Sequence, residues 1–274
     1  MYRFFVVTLI TVFFTTLLSG SILKEKVENI IGQNDYKAHS GLINLLFKNE
    51  SLYIINDKIK YHKLFKTLQE NGLLNLQLNR PSDIEIEFIG LNKHFKSYKI
   101  LNDTMQVLGF RYFFTKSMNR NSEDHFVWNI VFKAEYMIDP VMLLNELQQA
   151  NSVVTKVVNN GNNKWTYEID FQNAELSNAI KIAKNERVSF QKPLSAYMLK
   201  VESAQNLQVI SRSSNHWFPH IVFFDKDLKV LEVIKENKIQ KGVRVDMPDD
   251  TRYIKITDLY NLINIKRGLS IIVR

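Results

Sequence analysis

The chain has 274 residues, 45% of them hydrophobic, with 9 Gly, 5 Pro, no cysteine and a formal charge of +8. Such a composition supports one or two ordinary folded domains and excludes a disordered or collagen-like chain. The missing thiol excludes disulfides, thiolate zinc sites, iron–sulfur clusters, cysteine nucleophiles and a lipid-modified cysteine anchor. Lys and Arg are interspersed with acids rather than gathered into a basic tail. The positive balance therefore reads as a solvated surface that suits an anionic neighbourhood, without nucleic-acid binding.

Residues 4–23 form an uncharged apolar run, FFVVTLITVFFTTLLSGSIL, preceded by Arg3 and followed by Lys24-Glu25-Lys26. Arg3, the apolar stretch and the small residues Ser19-Gly20-Ser21 make the three parts of a secretory signal. The run is also long enough for an uncleaved inner-membrane anchor. Its threonines and the Ser-Gly-Ser weaken the far end and favour cleavage. Either way the expectation is export, with the protein working in the periplasm.

Residues 22–60 read as a helical connector. Val27, Ile30 and Ile31 share one helix face, Gly32 ends it, Asp35 caps a second short helix, and Leu42, Leu45, Leu46 and Phe47 dock it. From 61 to 192 the expectation is an α+β module of helix–strand–strand units. The helix carrying Leu64, Phe65 and Leu68 stops at Asn71-Gly72, before strands at 73–78 and 84–89 around Arg80-Pro81-Ser82-Asp83. A second helix at 98–108 ends at Gly109 and precedes strands at 110–115 and 126–137, joined by a hairpin at 119–124. A third opens on Asp139-Pro140, closes at Asn151 and leads to strands at 153–158 and 165–171 around Asn159-Asn160-Gly161-Asn162-Asn163. The order over 84–158 is that of a ferredoxin-like split βαβ sandwich with an antiparallel sheet.

Leu176, Ala179, Ile180 and Ala183 suggest one more short helix at 175–185, and Lys192-Pro193 marks the domain boundary. Beyond it helical periodicity vanishes. Short strands at 197–201, 207–211, 220–224, 230–234, 243–247, 253–257 and 269–273 predict a small all-β sandwich, jelly-roll-like, over 193–274. The connector KEKVENIIG and the turn NGLLNL, in a chain rich in Lys, Asn and Ile, resemble uncharacterised exported proteins of epsilon-class proteobacteria. That resemblance implies a periplasmic location and no particular activity.

No nucleophile elbow, phosphate loop, zinc helix or EF-hand is present, and no cofactor is expected. Glu85 and Glu87 share a strand face and could pose as a hydrolase pair. His216 and His220, with Asp225 or Asp227, could approach a metal in a loop, and Asp249-Asp250 could approach calcium. Turn capping is the simpler use of such acids, so no metal is assigned. His39, His62, His94 and His125 stand alone in polar segments and read as surface residues. A sugar site needs a flat aromatic with polar groups around it, and Trp217 with Arg212, Asn215, His216, Tyr253 or Tyr260 could supply both. The expectation is therefore a non-enzymatic envelope protein that binds a protein partner or peptidoglycan glycan. The alternatives are an envelope polysaccharide hydrolase or lyase targeted by its sandwich, and a small-ligand sensor with an enclosed pocket.

Overall fold

A computed structural model describes residues 22–91, 95–123 and 125–274. Residues 4–21 of the apolar run, His94 and Asp124 lie outside them. No helix among the described residues is long and apolar enough to cross a membrane. The protein is α+β and divides into two compact units, one of residues 22–91 and 97–175, the other of residues 95–96 and 176–274.

In the first unit, helix α1 (residues 22–31) buries Leu23, Val27 and Ile30 at helical spacing. Asn29 fixes its position by exchanging two hydrogen bonds with the main chain of Asn159: Asn29 Nδ2 donates to the carbonyl at 3.2 Å, and the Asn159 N–H donates to Oδ1 at 3.1 Å. Two short helices follow, α2 (Gln33–Ala38) and α3 (Ser40–Leu46). Asp35 lies inside the first turn of α2 and Gly32 holds the cap position, with φ +88°. The expected docking residues also change: Ile43 and Phe47 are buried, whereas Leu45 is 71% exposed. The connector then closes with a small hairpin of β1 (Ile54–Ile55) and β2 (Lys58–Ile59), turned by Asn56 and Asp57 at positive φ.

Helix α4 (Tyr61–Glu70) buries Leu64, Phe65 and Leu68. Of the two strands expected at 73–78 and 84–89, residues 73–76 are irregular and the rest joins into one long strand, β3 (Gln77–Gly90). Its pairing breaks register between Gln77 and Ser82, where Pro81, lacking an N–H, sits in the irregularity instead of making a turn. Helix α5 (Phe95–Val107) precedes β4 (Phe114–Arg120), which starts later than its aromatic run suggests. Phe110 and Phe113 come before the strand and pack on Phe132 and Trp128, with ring centroids 4.7 and 5.5 Å apart. Strand β5 (Phe126–Tyr136) leads to α6 (Pro140–Gln149), capped by Asp139 Oδ1, which accepts the N–H groups of Val141 and Met142. Strands β6 (Val153–Asn159) and β7 (Lys164–Asp170) complete the sheet.

The sheet order is β4-β5-β3-β7-β6, with β7 parallel to β3 and the other pairs antiparallel. This departs from the expected sandwich, in which the strand at 153–158 would lie beside the one at 84–89. That central place goes to β7, whose Trp165, Tyr167 and Ile169 face Phe88 and Trp128 in the core, while Thr155 and Lys156 keep β6 at the edge. The strand with the larger apolar face takes the position buried on both flanks.

The second unit is two packed sheets. One runs β13 (Val230–Lys235), β12 (Pro219–Phe224), β15 (Tyr253–Asp258), β10 (Tyr197–Val201), β8 (Ile180–Ile182); the other β14 (Gly242–Asp246), β11 (Asn206–Ser211), β16 (Leu269–Val273), β9 (Arg187–Ser189). The expected helix at 175–185 is absent. Ile180–Ile182 pairs in parallel with β10 instead, burying Ile182 and leaving Ile180 44% exposed. Residues 176–192 therefore belong with the sandwich, because its sheet offers them ladder partners that an isolated short helix would lack. The core between the sheets gathers Leu199, Val201, Leu207, Val209, Trp217, Ile221, Phe223, Ile254, Ile256 and Ile271.

Candidate functional site

At one end of the sandwich two loops are joined, residues 212–218 after β11 and 259–268 after β15. The joint is Asp258, 6% exposed. Its Oδ2 accepts the Phe218 N–H at 2.8 Å, and its Oδ1 accepts the N–H groups of Tyr260 and Asn261, both at 2.9 Å, and Asn264 Nδ2 at 3.0 Å. The His216 N–H donates to the Asn264 carbonyl and the Leu259 N–H to the Phe218 carbonyl. Asn215, also buried, donates from Nδ2 to the Gly268 carbonyl and accepts the Arg267 N–H. Gly268 has φ +81°, and a Cβ there would overlap the Phe190 carbonyl oxygen, so the second loop admits only glycine at that point. A buried carboxylate saturated by donors makes both loops rigid.

Five of the sequence-derived residues, Arg212, Asn215, His216, Trp217 and Tyr260, lie on these two loops in altered roles, whereas Tyr253 lies at the other end of β15. Trp217 is wholly buried in the sandwich core, and its Nε1 donates to the Thr257 carbonyl at 3.0 Å. Tyr253 is 1% exposed and its hydroxyl accepts the Leu176 N–H, so it also presents no face to a ligand. Asn215 is a buried brace. Tyr260 remains outside, 66% exposed and edge-on to Phe218 at 5.0 Å, with Ile263, His216 and Arg212 exposed as well. Lys266 and Arg267 are exposed on the same loop. Across 212–220 and 259–268 there is no Asp or Glu, and the side chains that can carry positive charge are Arg212, His216, His220, Lys266 and Arg267. Burial first, then Lys235 and Lys255 on the neighbouring strands, push the His220 pKa down. The sequence reading missed Asp258, since a lone acid after a strand carries no local sign of the loops it will join.

The remaining candidates resolve plainly. Asp225 Oδ1 accepts the N–H groups of Asp227 and Lys229 and so caps its turn. Among the described residues no three His, Asp or Glu side chains gather to hold a metal ion. His62 bonds Asn145, and His125 lies 3.2 Å from Glu123. Glu85 is held between Lys116 at 2.9 Å and Lys164 at 3.0 Å and accepts Asn129 Nδ2 at 2.7 Å. The Lys116 contact, then those of Asn129 and Lys164, lower its carboxyl to about 2, which leaves no proton for acid catalysis near neutrality. Glu87 accepts Thr166 Oγ1. Two surface depressions touch α6, of about 520 and 440 Å³; one is lined by Glu146 and no second acid, the other by no acid.

No family model matches the chain, and no curated protein matches it. Among solved structures, one chain from the structure of accessory secretory proteins 1, 2 and 3 of Streptococcus pneumoniae shares 14% identity over 33% of this chain and 79% of its own, with a TM-score of 0.20. PliG of Aeromonas hydrophila, a periplasmic inhibitor of g-type lysozyme, shares 14% identity over 35% of this chain and 97% of its own, also with a TM-score of 0.20. Likenesses this slight carry no argument about function.

Proposed function

We propose that the protein is a non-enzymatic, exported binding protein of the cell envelope, and that its sandwich loops engage an anionic cell-wall glycan. The observation that carries this reading is the Asp258 joint, which fixes the backbone of the exposed Tyr260 on a pair of loops that also expose Arg212, His216, Lys266 and Arg267. Sugar rings rest their apolar faces on aromatic rings, and carboxylates or phosphates along a glycan meet guanidinium and ammonium groups. Loops already rigid before binding lose little entropy on contact. Export is supported by the apolar run at residues 4–23. The hydrolase alternative loses ground because Glu85 is held ionised and neither depression brings two carboxylates together.

The test is co-sedimentation of the full chain with purified peptidoglycan sacculi. Tyr260→Ala and Arg212→Ala should each lower retention by about tenfold, the equivalent of ~1.4 kcal/mol, with unchanged thermal midpoints. Retention should also fall at ~0.5 M salt, where exposed charges are screened. Retention that ignores both substitutions and salt would remove the loops from the function. Trp217→Ala is the wrong probe, because emptying that core position costs about 3–5 kcal/mol by itself.

A further inference from the structure

The five-stranded sheet of the first unit ends on β6 at one side and on β4 at the other, and the fold treats the two edges differently. β6 is covered. Asn29 pairs with the Asn159 main chain, Asn159 Nδ2 donates to the Ile30 carbonyl, the Tyr61 hydroxyl bonds the Val157 main chain, and β2 and α4 lie against the strand. Along β4 six of seven residues are exposed, and the segment presents Tyr112 at 93%, Phe114 at 79% and Met118 at 48% exposure. Phe114 stands opposite Val131 on the face that carries Glu85, and Met118 stands opposite Trp128 on the other face.

An open edge strand is a template for another strand, and proteins usually guard it with a charge. The charge available here, Lys116 in the register break of β4, is turned onto the sheet face, 2.9 Å from Glu85. The segment 110–120 nonetheless carries Arg111, Lys116 and Arg120 with no acid, and Glu85 is shared between two lysines. We propose that β4 is a docking edge, independent of the sandwich loops, which takes an extended segment of a partner polypeptide as a sixth strand. The segment carries carboxylates alternating with apolar side chains. Its main chain completes the ladder of β4, its apolar side chains cover Phe114 on one face, and its carboxylates, on the other face, complement the basic charge of the segment. A second copy of this chain fits the edge poorly, since self-pairing would set Arg and Lys against themselves.

The experiment uses the purified full chain and three short capped peptides: alternating Glu and Val, alternating Lys and Val, and the Glu–Val peptide with all its amides N-methylated. The Glu–Val peptide should slow amide exchange across residues 114–120. Its affinity, read by fluorescence anisotropy, should fall at least about tenfold with Phe114→Glu. The Lys–Val and N-methylated peptides should not bind. Phe114→Glu changes an exposed side chain, and an unchanged exchange pattern elsewhere will show that the variant is folded. Absence of protection by the Glu–Val peptide would overturn the proposal, as would equal binding of the N-methylated form. A concentration-dependent dimer abolished by Phe114→Glu would overturn it too, by showing that a second copy covers the edge.

Discussion

The Asp258 carboxylate accepts the backbone N–H of Phe218 at 2.8 Å, across two loops that are 40 residues apart in the chain. Three further donors close around the same carboxylate, so a single buried side chain sets the geometry of an exposed surface.

Asp258→Ala removes the acceptor and leaves four donors to compete for water at a poorly accessible site. The expected cost is about 2–4 kcal/mol in urea denaturation, since each unsatisfied buried donor costs roughly 1–3 kcal/mol and part of that is relieved by relaxation. Amides at 260, 261 and 218 should exchange faster even where global stability is preserved. A loss below about 0.5 kcal/mol with unchanged exchange would show that the joint is incidental.

Glu85 should make the first unit sensitive to acid. Its carboxyl is lowered from 4.5 to about 2 by Lys116, Asn129 and Lys164, and the same contact pushes Lys164 upward. A depressed carboxyl adds stability above its unfolded value, and that stability is lost as pH falls through the folded one. The window therefore runs from about pH 4.5 down to about 2. Glu85→Gln should melt below the wild type at neutral pH, and the gap should close as the pH drops through that window. A constant gap would place the effect in packing rather than ionisation.

Asn29→Ala should loosen α1 without unfolding the protein. Two hydrogen bonds to the Asn159 main chain disappear, while Leu23, Val27 and Ile30 remain buried. A local penalty of about 1–2 kcal/mol corresponds to exchange roughly tenfold faster in residues 22–31. Unchanged exchange there would mean that the apolar face alone holds the helix.

Much of the local structure was legible in the sequence. Asp139-Pro140 opens α6, and Gly72, Gly109 and Asn151 take positive φ where helix ends were expected. The Asn159–Asn163 turn joins β6 to β7, and the sandwich strands from Tyr197 onward lie within a few residues of their expected positions. These features depend on caps, turns and periodicity, which act over a few residues. What only the tertiary structure decided depends on partners distant in the chain. β7 rather than β6 lies beside β3, residues 180–182 become a strand because β10 offers an edge, and Pro81 sits in a bulge of one long strand. Arg212, Asn215, His216, Trp217, Tyr253 and Tyr260 were grouped from the sequence as candidates for a sugar site, and Tyr253 falls at the other end of β15 from the two loops. Burial then divided them: Trp217 joins Phe190, Tyr197 and Phe223 in the core between the sheets, where the Thr257 carbonyl accepts its Nε1–H, and Tyr260 stays on the exposed loop, a division set by partners distant in the chain.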